Sequence, residues 1–158
     1  MLKFRRLTEN ELKSFRKQFI AFLEKNNLNQ NDWMLMQRRE PSKARILIDI
    51  FSDMVFYSIL SKSACMERLS TKEFKSYRFF KDKVIAICAK IKEDSPHSFN
   101  KDNLNEVLGK TLLNDNLEVL KAEKSFEKSR EQEMFRFLND GCYPADDSNY
   151  ELLADWIS

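Results

Sequence analysis

"CMERLSTKEFKSYRFFKDKVIAICAKI", residues 65–91, is where the periodicity of the chain changes, and that change decides the fold. Before it, apolar residues recur every three or four positions, as on a helix face. Within it, three runs rich in β-branched and aromatic residues are separated by "STK" and "KDK", which predicts three strands in an antiparallel meander. Val84–Ile91 is apolar on both faces and belongs in the middle of the sheet. Two-residue alternation sends Lys75, Tyr77 and Phe79 to one face of the second strand and Phe74, Ser76, Arg78 and Phe80 to the other.

Working towards the N-terminus, residues 42–62 read as a long helix with Ser42 as a plausible cap. Its apolar positions, from Ile46 through Phe51, Met54 and Val55 to Leu60, cover most of the circumference, the pattern of a central, buried helix. A short helix is expected around Trp33–Arg39, started by Asn31 or Asp32 and stopped ahead of Pro41. The first helix is announced by Thr8 and Glu11, the spacing of a capping box, with Leu7 placed to staple onto Leu12. Leu12, Phe15, Phe19, Phe22 and Leu23 follow at helical spacing as far as Lys25.

Towards the C-terminus, "KEDSPHSFNKD" is a loop, "NLNEVLGKTLL" a short helix and "LEVLKAEKSF" a fourth strand. Ser129 with Gln132 repeats the capping-box spacing, Met134, Phe135, Phe137 and Leu138 supply a buried side, and Gly141 falls where a left-handed residue ends a helix. "DSNYELLADWIS" reads as a terminal helix docking through Leu152, Leu153, Trp156 and Ile157. The expected fold is α+β: a helix-rich single domain over residues 1–158 with a small, mostly antiparallel sheet of about four strands, in the order α-α-α-β-β-β-α-β-α-α.

Two glycines and three prolines in 158 residues support this, because all-β folds consume both in turns. The scarcity also excludes a P-loop or dinucleotide fingerprint, each of which needs closely spaced glycines; Gly109 and Gly141 stand alone. Cys65, Cys88 and Cys142 form no C-x-x-C pair and read as reduced, intracellular thiols. "MLKFRRLTENELK" has no apolar signal region, and the longest apolar run, Val84–Ala89, is too short to span a bilayer. A cytoplasmic protein with no membrane association is expected.

Catalytic constellations are sparse. One histidine and three scattered cysteines suit neither a zinc site nor a nucleophile–histidine pair, so no catalytic residue and no cofactor are assigned. Asp49 and Asp53 are four apart on one helix face, the one weak metal candidate, for instance for Mg²⁺ in a metal-dependent hydrolase. The alternative pairs them with Arg38, Arg39 or Arg45. Glu118 and Lys121, or Glu123 and Lys124, do not match the acid–lysine spacing of metal-dependent nucleases, because alternation sends Glu123 and Lys124 to opposite strand faces. What remains is a charged strand edge, which opposes aggregation or contacts a partner. "KEFKSYRFFKDK" interleaves bases and aromatics as RNA-stacking sheets do, but without their glycine signature; such rings are more often core.

Charge is polarised. Residues 1–45 carry +6, residues 46–100 carry +2 and residues 101–158 carry −6. Either the two ends attract each other, or a basic face made by Arg5, Arg6, Arg16, Lys17, Arg38 and Arg39 meets an acidic protein or nucleic acid.

"RRLTENELKSFRKQFIAFL" followed by "NDW", "ILIDIFSDMVFYSIL", "KAEKSFEKSREQEMF" and "DGC" resembles, in the same order, an uncharacterised domain-of-unknown-function family of small proteins from Bacteroidetes-type bacteria. The resemblance implies a bacterial cytoplasmic protein and transfers no catalytic residue. It implies that Glu123, Lys124 and Arg130 are more than random surface charge. The reading that follows is a non-enzymatic interaction or adaptor module, monomer or homodimer, whose partner is another protein. Nucleic-acid binding through the basic face is the first alternative, and hydrolysis at Asp49 and Asp53 the second.

Overall fold

Thr8 and Glu11 make the capping box that their spacing predicts. The structure is a computed structural model in which residues 2–158 are described. The Thr8 hydroxyl accepts from the Glu11 N–H at 3.2 Å, and the Glu11 carboxylate accepts from the Thr8 N–H at 2.8 Å. From there the chain runs α1 (Glu9–Ser14), α2 (Arg16–Lys25), α3 (Gln30–Arg39), α4 (Pro41–Lys62), β1 (Cys65–Leu69), β2 (Glu73–Phe79), β3 (Lys83–Ile91), α5 (Leu104–Leu113), β4 (Leu117–Ser125), α6 (Arg130–Asn139), β5 (Tyr143–Ala145) and α7 (Ser148–Ile157). The fold is α+β, and the chain divides into two compact units, residues 1–58 and 59–158.

The order differs from the expected one in two places. The first predicted helix is two, broken at Phe15, whose backbone (φ −101°, ψ 23°) leaves helical geometry for one residue. The sheet has five strands among the described residues, not about four. The added strand, β5, is three residues long and contains Pro144, so it carries no alternation to read. It forms by pairing with β1, Cys65 opposite Ala145 and Glu67 opposite Tyr143. Helix starts also move. Asn29, not Asn31 or Asp32, caps α3, with Asp32 as the returning arm of its capping box. Helix α4 begins at Pro41, whose missing N–H costs nothing at a first helical position.

In the first unit, aromatic rings fill the space between helices. Phe19 lies 5.2 Å from Trp33 and 5.0 Å from Phe51, and Phe22 lies 5.4 Å from Phe51. Such pairs add about 0.5–1.5 kcal/mol each beyond the area they bury. The N-terminal segment is held to α4 by polar contacts. Ser52, buried in mid-helix, accepts from the Leu7 N–H at 2.9 Å and donates to the Ile48 carbonyl at 2.7 Å.

In the second unit the strands lie in the order β4-β3-β2-β1-β5, every neighbour antiparallel. The doubly apolar β3 is an interior strand, but β2 and not β3 is the middle one, because β4 and β5 add one strand on each side of the meander. One face carries Phe74, Ile87, Ala89 and Ile91 into a core shared with Leu108 of α5 and with Tyr150 and Leu153 of α7. Tyr77 and Phe79 point the other way, edge-on to Phe137 of α6 at 4.8 and 5.0 Å. These rings are therefore engaged in packing. Helix α6 ends in a Schellman motif: Gly141 adopts φ +101°, its N–H reaches the Leu138 carbonyl, and the Cys142 N–H reaches the Phe137 carbonyl.

Arg130, the first residue of α6, gathers three backbone carbonyls. Its guanidinium donates to Leu60 O at 3.2 Å, Ser63 O at 2.6 Å and Phe79 O at 3.1 Å. It thus caps the last turn of α4 and the end of β2, a favourable place for a cation. Arg130→Ala is expected to destabilise the protein by about 2–4 kcal/mol, as three partly buried acceptors lose a charged donor. Arg130→Lys, with one point charge in place of the fork, should recover less than half. Urea unfolding followed by circular dichroism checks both.

Candidate interaction surfaces

The basic residues of the N-terminal third fall into two groups. Arg5 and Arg6 are engaged. Arg5 makes a two-pronged pair with Glu11 at 2.7 and 2.9 Å and lies 4.8 Å over the Phe56 ring. Arg6 pairs with Asp49 at 2.5 and 3.0 Å. The Arg5 guanidinium and the Thr8 N–H hold the Glu11 carboxyl down at about 2, and Arg6 lowers Asp49 in the same way. Arg16, Lys17, Arg38 and Arg39 are exposed and make no ion pair among the described residues.

Asp49 and Asp53 both serve the N-terminal segment. Asp53 accepts from the Lys3 N–H at 2.9 Å and the Phe4 N–H at 3.1 Å, one amide per carboxylate oxygen. Together with the Arg6–Asp49 pair, this fixes the segment along α4. A metal at these carboxylates would have to displace an arginine and two amides. Among the described residues no three His, Cys, Asp or Glu side chains converge as metal ligands.

Helix α4 departs from the reading of a buried central helix. Ala44, Phe51, Ser52, Val55 and Phe56 are buried, but Ile46, Ile50, Met54 and Tyr57 are 57%, 47%, 54% and 55% exposed. Their spacing of four, four and three puts them in one stripe along the helix. Four large apolar side chains in a row make an exposed apolar patch, and the largest such patch on a monomer is often functional. Arg38 and Arg39 lie in the last turn of the preceding helix, whereas Lys43, one turn before Ile46, is paired with Glu40 at 3.2 Å. The helix that precedes the stripe therefore ends basic. Met34 and Leu35, also about half exposed, line a shallow groove on α3 with Asn31 and Arg38. Hydrophobicity around the whole helix had masked the stripe; the signal was that it contained two apolar faces, not one.

On the second unit, Glu123 and Lys124 lie on β4, the outer strand of the sheet, with their side chains on opposite faces as predicted. Glu123 pairs with Lys83 of β3 at 3.4 Å, whereas Lys124 is exposed and makes no ion pair among the described residues. Arg130 is turned inward, as described above. A shallow recess of about 240 Å³ between Arg68, Ser70, Glu73 and Lys75 holds both signs of charge.

A polar cluster unforeseen from sequence lies beneath the start of α7. Glu67 is 3% exposed and accepts from the Asn149 amide at 3.2 and 3.3 Å. Burial raises its carboxyl, the Asn149 hydrogen bond opposes the shift, and Asp146 adds to it. Neighbouring Cys65 is pushed up to about 12 by the same burial, so it is a packed thiol and not a nucleophile. Arg78 bridges to Glu151 at 2.5 Å and Asp147 at 3.3 Å, tying α7 to β2.

A family model matches residues 1–158. The chain belongs to a family of unknown function, DUF6495. No curated protein and no solved structure matches it. Membership in DUF6495 therefore brings no activity with it, and the function must be argued from the surfaces above.

Because folding raises the Glu67 carboxyl above its unfolded value, its contribution to stability is present below the ordinary carboxylate range and lost as pH rises through the folded value. Glu67→Gln removes that titration while preserving shape, and Asn149 can present its oxygen to the new amide. Melting temperatures at pH 4.5 and 8 should therefore differ less for Glu67→Gln than for wild type, with the variant gaining at pH 8. An unchanged difference would show that Glu67 does not carry this dependence.

Proposed function

We propose that this protein is a non-enzymatic interaction module whose α4 stripe docks another protein. The supporting observation is the row Ile46, Ile50, Met54 and Tyr57, exposed beside a basic helix end. A straight apolar stripe about three turns long fits an amphipathic helix laid along it, with anchors at matching three- and four-residue spacing. The first unit carries eleven Lys/Arg against seven Asp/Glu, and Arg38 and Arg39 make no ion pair among the described residues, so the partner helix is acidic beside its apolar face. Buried apolar anchors would supply most of the affinity, and the charges mainly the association rate and orientation.

Nucleic-acid binding is the second reading, supported by the unpaired cations Arg16, Lys17, Arg38 and Arg39. The two readings separate cleanly. Phosphate contacts predict affinity that falls steeply with salt, losing roughly 10²–10³-fold between 50 and 200 mM for four to six contacts. An apolar anchor site predicts weak salt dependence and strong sensitivity to Ile50.

The protein is to be used as bait in host extract, the retained protein identified, purified and titrated by calorimetry. Ile50→Asp is expected to weaken that purified pair at least about 30-fold, the range for losing an anchor worth 2 kcal/mol or more. Arg38→Glu with Arg39→Glu should cost less at physiological salt. Retention of labelled RNA at low salt, abolished by Arg38→Glu with Arg39→Glu and indifferent to Ile50→Asp, would favour the second reading. A folded Ile50→Asp variant that binds the identified protein as well as wild type would refute the first.

A further inference from the structure

The two edges of the sheet are built differently. At one end β5 is three residues long and contains Pro144, a blunted edge. At the other end β4 runs nine residues with no proline, glycine or bulge, in unbroken register with β3 from Leu117–Ile91 to Ser125–Lys83. The Lys92 N–H bonds to Asn116 O at 2.8 Å and the Phe126 N–H to Asp82 O at 3.0 Å. Even-numbered residues of β4 therefore turn their backbone groups towards β3. By the antiparallel alternation, Val119, Lys121, Glu123 and Ser125 turn theirs outward, where no partner meets them among the described residues.

The side chains on this edge are self-complementary. Laid antiparallel against a second copy with Ala122 opposite Ala122, the strand places Lys121 opposite the other copy's Glu123, and Glu123 opposite its Lys121. Val119 then faces Ser125, and each of these pairs brings two outward-pointing backbones together. The methyl groups of Ala122 meet at the two-fold axis, where the non-hydrogen-bonded pair brings strands closest and a small residue fits. On the same face Leu120, half exposed, is covered by the aliphatic stem of the opposing Lys124. Shifting the axis by one residue places Lys121 against Lys121, a like-charge pair that disfavours that register. Glu123, already 3.4 Å from Lys83, would lie between two lysines.

We propose that β4 is a homodimer interface, joining two five-stranded sheets into one continuous sheet about Ala122. Charge on this edge thus selects a partner strand as well as repelling others. The inference is independent of the α4 reading and concerns a different surface.

The test is sedimentation equilibrium on the whole chain, with circular dichroism confirming that each variant is folded. Wild type should dimerise with concentration. Lys121→Glu and Glu123→Lys should each weaken the dimer about 10-fold or more, since each turns two attractive cross-strand pairs repulsive. The double variant Lys121→Glu with Glu123→Lys should restore it, which no loss of fold can mimic. Under mild oxidation Ala122→Cys should give a covalent dimer, and Lys121→Cys far less. A protein that stays monomeric at high concentration would overturn the proposal. So would a dimer indifferent to the charge reversals but lost in Ile50→Asp, or cross-linking at Lys121→Cys in preference to Ala122→Cys.

Discussion

The guanidinium of Arg130 is the constraint on which the second unit turns. The last carbonyls of a helix have no partners within it and must have them met from elsewhere. Here one planar fork meets the Leu60 carbonyl in the last turn of α4, the Ser63 carbonyl just beyond it and the Phe79 carbonyl at the end of β2. Arg130 is also the first residue of α6, after the Ser129 cap. A single side chain therefore ties the last residues of α4 and the end of β2 to the start of α6. The tie matters because Phe137, two turns further on, packs on Tyr77 and Phe79 and closes that face.

Polar anchoring recurs in the first unit with the charges reversed. The backbone before α1 would leave exposed amides on α4, and Asp53, Ser52 and the Arg6–Asp49 pair accept or fix them. Several charges that looked like a site when read along the chain are thus fasteners. Arg5, Arg6, Asp49, Asp53 and Arg130 all bind other parts of the same chain. Among the charges singled out from the sequence, Arg16, Lys17, Arg38 and Arg39 on the first unit and Lys124 on the sheet edge make no ion pair among the described residues.

What could be read in advance follows the range of the forces involved. Local signals were legible: the Thr8 box, the Gly141 terminus and the switch of period at Cys65 all depend on residues within one or two turns of each other. The elements that went unread depend on distant ones. Strand β5 exists because β1 offers it an edge, nearly eighty residues earlier in the chain. The burial of Glu67 depends on where Asn149 arrives, and the destination of Arg130 on three carbonyls 51 to 70 positions away. Helix α4 shows a different limit. A helix that is apolar all round is compatible with full burial or with two apolar faces serving different neighbours, and hydropathy alone does not separate them.

That ambiguity bears on what the protein is for. Folding uses one side of α4, through Phe51, Val55 and Phe56, and leaves Ile46, Ile50, Met54 and Tyr57 in water. Exposed residues of this size carry a solubility cost, and a chain with 33% charged residues had ample polar side chains with which to avoid it. The same reasoning applies to β4, where nine unbroken residues keep their outer backbone groups free while β5 closes the opposite edge with three residues and a proline. Two surfaces on two units are thus left unsatisfied, one apolar and one made of backbone hydrogen-bonding groups. They differ in chemistry, and this is the physical ground for proposing separate roles for them.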